Sequence, residues 1–161
     1  LLKTFSFKSE LEINELVQAT IERPQERAGQ RALASELTEL VHGAAERVGA
    51  EDAGKALFGV GNLADLPEST LHAALTEASL GEVNKSEVVD GKLPTLDELL
   101  VRCGLAPSKK AARRTIAEGG AYVNNIRVDQ EDFQVPVREL LYGQWVVLRR
   151  GRKAFAGVVV K

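Results

Sequence analysis

Residues 104–125 read GLAPSKKAARRTIAEGGAYVNN, and the portion that decides the fold is 108–118, SKKAARRTIAE. Ser108 suits a helix N-terminus, where its hydroxyl can accept a bond from a free main-chain N–H, and Gly119-Gly120 supplies the stop. On a helical wheel of about 100 degrees per residue, Lys109, Lys110, Arg113 and Arg114 fall within an arc of about 140 degrees centred on the small Ala117. Ala111, Ala112, Thr115 and Ile116 occupy the other side. One face is cationic and the other packs.

Downstream, the pattern turns strand-like. Residues 121–124 and 126–128 flank Asn124-Asn125, residues that tolerate the left-handed conformation of a tight hairpin turn. Residues 145–148 and 155–160, rich in Val, Trp and Phe, flank Arg149-Arg150-Gly151-Arg152-Lys153 and form the best hairpin candidate. Upstream, Thr95 and Glu98 have capping-box spacing before Leu96, Leu99 and Leu100, and Gly104 closes that helix. Residues 81–94, rich in Gly, Asn, Ser, Lys and acids, carry no sustained period and are predicted to be an exposed linker.

Residues 1–80 read as helix throughout. Ser9 and Glu12 form another capping box, and Pro24 suits the first turn of the longest helix, whose apolar residues recur at three- and four-residue spacing up to Gly43. A third helix ends on Ala56-Leu57-Phe58 with Gly59 as its stop, and a fourth begins near Pro67. Arg23, Arg27 and Arg31 would share a face of the longest helix, beside acidic Glu22 and Glu26, which favours a solvated surface. The predicted class is α+β: a helical bundle over 1–80, the linker, and over 95–161 a small domain of two helices on a small twisted antiparallel sheet.

Charge separates the halves. Residues 1–94 balance to -7 and residues 95–161 to +5, within a net -2. Four cations on a surface helix are ordinarily a solvated face. A turn, however, does not need four cations within five positions, and their repulsion makes an anionic partner the simpler explanation. The single cysteine, Cys103, excludes an internal disulfide and reads as a buried helix residue; with only His42 and His72 beside it, no zinc spacing exists. The longest apolar or glycine run, 154–160, is far short of a bilayer span, and no secretory signal is evident, so a cytoplasmic location away from membranes is expected. The sequence opens on Leu1-Leu2 and contains no methionine, which points to part of a longer chain.

The 104–125 stretch resembles the core motif of a small RNA-binding fold shared by a ribosomal small-subunit protein, some pseudouridine synthases and a heat-shock protein. Residues 2–15 (LKTFSFKSELEINE), 31–43 (RALASELTELVHG), 55–59 (KALFG) and the closing 145–161 resemble the tRNA-binding C-terminal part of bacterial-type tyrosyl-tRNA synthetases. The resemblance implies a helical anticodon-binding region over 1–80 and a small RNA-binding domain over 95–161. It implies that Ser108, Lys109, Lys110, Arg113 and Arg114 line an RNA-facing helix, and that Gly120, Val123 and Asn124 shape the turn and strand after it. Asn125 stands where glycine is more usual. With the basic turn, the residues expected to bind RNA are these five plus Arg149, Arg150, Arg152 and Lys153.

The same resemblance implies a parent class I ligase that uses ATP and magnesium to attach tyrosine to tRNA(Tyr), homodimeric through a catalytic domain this chain lacks. Neither adenylate-forming signature of that domain occurs here: His42-Gly43 follows an amphipathic helix and Lys109-Lys110 lies in a different fold. No nucleophile–base pair or carboxylate pair stands out as catalytic, and the chain alone is expected to be inactive. Competing readings are a stand-alone protein acting on ribosomal RNA, the RNA-binding part of a pseudouridine synthase, and a protein-interaction module, the last leaving the cations unused.

Overall fold

The computed structural model describes residues 2–161 and divides into two compact units, one reaching Glu51 and one running from Asp52 to Lys161. In the first unit, α1 (Leu2–Phe5) precedes α2 (Glu10–Glu22). The capping box forms at the start of α2: the Ser9 hydroxyl accepts from the Glu12 N–H while the Glu12 carboxylate accepts from the Ser9 N–H at 2.9 Å. The predicted long helix from Pro24 is interrupted. A 3-10 turn over Pro24–Glu26 and a left-handed Arg27 at φ 51° precede α3 (Ala28–His42). That break places Arg23 at the end of α2, Arg27 in the turn and Arg31 in α3, so the three do not form one helical face. The next helix, α4 (Ala44–Leu57), begins in the first unit and ends in the second. Among the first unit's described residues only Ile13 and Gly29 are buried, and its side chains are tied largely by exposed ion pairs such as Arg47 with Glu39 and Glu51.

The second unit is organised by β1 (Leu80–Val83), β3 (Ala121–Val123), β4 (Ile126–Val128), β6 (Trp145–Arg150) and β7 (Ala154–Val160). They form one sheet in the order β1-β7-β6-β3-β4, antiparallel except for the parallel β1–β7 pair. A second small sheet pairs β2 (Lys92–Thr95) with β5 (Gln134–Pro136). The α+β class therefore holds, with a mixed main sheet rather than a wholly antiparallel one. Side chains alternate across a strand, and here both faces are covered. Val146, Leu148, Ala156, Val158 and Val160 join the core with Leu96, Leu99 and Leu100 of α6 (Leu96–Arg102) and Ala112 and Ile116 of α7 (Lys109–Ala117). Trp145, Val147 and Val159 join a second core with Leu71 and Leu75 of α5 (Glu68–Ala78) and Ala53, Ala56 and Leu57 of α4. Burial on both faces explains why β6 and β7 read as continuous apolar runs. Each fully buried Leu contributes roughly 1.5–3 kcal/mol.

Two expectations change. The 1–80 bundle is not a unit, because α5 and the end of α4 cover the sheet of the second unit. Residues 81–94, expected to be a linker, carry most of β1 and β2, and Val83 and Leu93 are fully buried. Register with β7 from Leu80↔Gly157 to Val83↔Val160 supplies the hydrogen bonds that a short, Gly-containing segment cannot find locally.

Candidate nucleic-acid interface

Helix α7 forms as its sequence dictates. The Ser108 hydroxyl accepts from the Ala111 N–H at 3.2 Å, and Ala112 and Ile116 are fully buried. The cationic face points outward and is partly tethered. Lys109 Nζ lies 2.8 Å from Glu98 of α6, Arg113 Nε 2.8 Å from Asp97, and Arg114 Nε 2.8 Å from Glu118. Among the described residues the Lys110 side chain has no hydrogen-bond or ion-pair partner. Both arginines are bonded through Nε and stay more than half exposed, at 57% and 80%, which leaves guanidinium N–H groups able to donate to phosphate oxygens.

The carboxylates beneath hold this arrangement. Asp97 is 1% exposed, yet its oxygens accept from the Thr95 hydroxyl at 2.5 Å, the Glu98 N–H at 2.9 Å and Arg113. Burial alone would raise the Asp97 pKa; the bonds from Thr95, Arg113 and the Glu98 N–H outweigh it and hold the carboxyl below its ordinary range. The Thr95 side chain makes no capping bond to the α6 N-terminus, so the predicted capping box is replaced by Asp97 receiving the Glu98 N–H. Hydrogen bonds from Lys109 and then Arg102 lower the Glu98 pKa, and Arg102 holds Glu87 at about 2. Cys103 is buried at the end of α6, and burial pushes its thiol up to about 11.

The 149–153 cluster divides. Arg150, Arg152 and Lys153 are exposed, and the Gly151 N–H donates to Gly120 O at 2.8 Å, bringing their turn against the end of α7. Arg149 is only 6% exposed: its Nη1 donates to Phe58 O at 3.0 Å and its guanidinium lies 4.5 Å from the Tyr122 ring centroid. This corrects its expected RNA contact. Neighbours on a strand face opposite ways, so Arg150 shares the α7 side with Leu148 while Arg149 faces the other core. There it caps the carbonyl end of α4, where positive charge is favourable. Gly59 permits that approach, since a Cβ there would collide with the Arg149 guanidinium.

Gly120, Val123 and Asn124 do shape the turn and strand. Gly120 N–H donates to Thr115 O at 2.8 Å, Val123 is buried, and Asn124 and Asn125 adopt φ 46° and 69° between β3 and β4. Asn124 Nδ2 reaches Glu139 O at 2.8 Å and Asn125 Nδ2 reaches Ala56 O at 2.7 Å. Sequence reasoning missed Arg127. It lies on β4 with its guanidinium against Gly119, where φ is +69° and a side chain would collide with it, so a cation stands at the end of α7. Its place after a turn-forming Asn pair was the available signal.

Among the described residues no group of three or more His, Cys, Asp or Glu could hold a metal ion, and no helix is long and apolar enough to cross a membrane. Residues 76–158 match the family model described as the tyrosine--tRNA ligase SYY-like C-terminal domain. A tyrosine--tRNA ligase of Thermobifida fusca is 52% identical over 160 residues, 99% of this chain and 36% of that protein. One of Mycobacterium tuberculosis is 54% identical over 157 residues, 98% of this chain and again 36% of the relative. The chain thus spans about a third of the length of these curated relatives. A solution structure of a tyrosyl-tRNA synthetase C-terminal domain is 27% identical and covers 63% of this chain and 96% of that one, at a TM-score of 0.48.

Proposed function

The chain belongs to the SYY-like C-terminal domain family of tyrosine--tRNA ligases, and from that premise we propose that it is the tRNA-holding part of a tyrosine--tRNA ligase, with its second unit gripping tRNA(Tyr) by the phosphate backbone. The observation that carries the grip is on α7: Arg113 and Arg114 are each anchored through Nε, leaving two adjacent guanidinium forks exposed. Held side chains lose less conformational freedom when a phosphate arrives. Lys110 and the exposed Arg150, Arg152 and Lys153 extend the cationic surface. Ser108, whose hydroxyl is occupied as the helix cap, contributes by fixing the start of that helix. Recognition of this kind reads shape and backbone more than base sequence.

The parent protein, on this reading, joins tyrosine to tRNA through an adenylate, acts as a homodimer and works in the cytoplasm. ATP and magnesium belong to its other part. The residues present do not fit such a site: the described residues hold no cluster of metal ligands, and α7 is preceded by a helix and turn rather than by the strand of a nucleotide-binding unit.

Titration of tRNA(Tyr) against salt tests the grip. With three or four phosphates neutralised, log affinity should fall against log salt with a slope of roughly -3; a flat response sinks the proposal. Equal affinity for a ribosomal RNA fragment would favour the stand-alone RNA-binding reading.

A further inference from the structure

We propose that the hollow beneath the free edge of β4 receives one unstacked RNA base bearing an amino group, a proposal that rests on the RNA-binding reading above. The cavity is about 260 Å³, at the small end of ligand sites. Its floor is apolar, with Val123 and Val128 buried and Phe133 half-buried. Ile126 stands beside it with 69% of its surface in water, an apolar side chain open to a ligand at the rim of the hollow. A flat base between Ile126 and Phe133 would cover both.

Three polar side chains around this floor have no protein partners. Among the described residues, the side chains of Asp129, Gln130 and Glu139 make no hydrogen bond or ion pair. The main chain adds a second pair of contacts. Val123↔Ile126 closes a two-residue turn and so exchanges both ladder bonds, as does Ala121↔Val128; the Arg127 N–H and C=O between them therefore face outward from the sheet edge. One donor beside one acceptor complements a ring nitrogen beside an amino group. The carboxylates of Asp129 and Glu139 accept only, so they favour bases with a two-hydrogen amino donor over uracil, whose single N–H lies between two carbonyls. They also disfavour a phosphate inside the hollow. The phosphate is left to the Arg127 guanidinium, which lies against Gly119 at the end of α7. An RNA strand leaving the α7 face thus meets a cation first and the hollow next.

The test has two arms on the full chain. In the first, the 15N-labelled protein is titrated separately with AMP, CMP, GMP, UMP and inorganic phosphate. Amide shifts over 126–130 and at Phe133, larger with the amino-bearing nucleotides than with UMP or phosphate, are expected. Shifts confined to α7, or equal for phosphate alone, overturn the proposal. In the second, tRNA(Tyr) binding is measured across salt for Ile126→Ala and Gln130→Ala, exposed positions that leave the core intact. About a fivefold to tenfold weakening with an unchanged salt slope is expected, because no counterion is released at an apolar contact. Unchanged affinity together with a normal slope rejects the hollow and leaves the phosphate grip standing; absence of any salt-dependent tRNA binding rejects both.

Discussion

The two basic clusters of the second unit have nearly the same composition and opposite organisation. On α7, positions 109, 110, 113 and 114 stay on one side because the helical repeat returns to the same face, and all four side chains remain outside the core. At 149–153 the chain is still a strand through Arg150, so two adjacent arginines part: Arg149 enters the core with Phe58 and Tyr122, and Arg150 stays in water. Cation density in a sequence is therefore a statement about surface only after the local period is known.

The largest expected effect that would break this contrast comes from Arg149→Ala. Loss of the charge-assisted bond to Phe58 O and of the ring contact should cost about 2–3 kcal/mol and lower Tm by roughly 5–10 °C, measured by thermal unfolding, while the salt slope of tRNA binding stays unchanged. A changed slope with unchanged Tm would mean Arg149 faces RNA after all. Next, Arg113→Ala combined with Arg114→Ala should weaken tRNA binding about 10- to 100-fold and make the salt slope shallower by about 1.5 to 2, with Tm lowered by only a few degrees as Asp97 keeps its bonds from Thr95 and the Glu98 N–H. If that pair unfolds the protein instead, the outer face of α7 has been mistaken for core.

A smaller effect is expected of Asp97→Asn. The folded-state pKa of Asp97 is depressed, so the stability it supplies is complete above the unfolded carboxylate value near 3.9 and is lost as pH falls through the lower folded value. The variant should lose roughly 1 kcal/mol at neutral pH and show a flatter acid limb in urea titrations, and Arg113 should hold tRNA less tightly for want of its tether. An unaltered acid limb would remove Asp97 from this role. The smallest change belongs to Arg152→Ala with Lys153→Ala: a salt slope shallower by at most about 1 and no measurable shift in Tm.

Much of the fold was legible where a signal is local. Capping by Ser9 and Ser108, the turn at Asn124-Asn125 and the two-sided character of α7 each depend on residues within one or two turns of one another. What escaped depends on partners far along the chain. Leu80–Val83 contains a glycine and lacks alternation, and it becomes a strand only because residues 157–160 lie beside it. Helix α5 looked like a bundle member because its periodic face, with Leu71 and Leu75, fits another helix or the underside of a sheet equally well. The break at Arg27 was hidden because Pro24 is favourable at a helix start and equally so in a 3-10 turn. In the candidate interface, the α7 cations were readable from their period, whereas the burial of Arg149 required knowing that Phe58, far upstream, would lie over it.

The position of β7 carries a consequence for how the protein is made. The most C-terminal strand lies inside the sheet, bonded to β1 on one side and β6 on the other, and the Lys161 N–H donates to Val83 O while Lys161 O accepts from the Lys85 N–H. A nascent chain therefore holds β1 and both sheet-covering helical layers without the strand that joins them until residues 154–160 have left the ribosome. A ribosome that stalls before that point releases a product with two unpaired strand edges and uncovered apolar helices, a form open to proteolysis. Residues 154–160 thus decide whether the unit survives, and with it the surface offered to RNA.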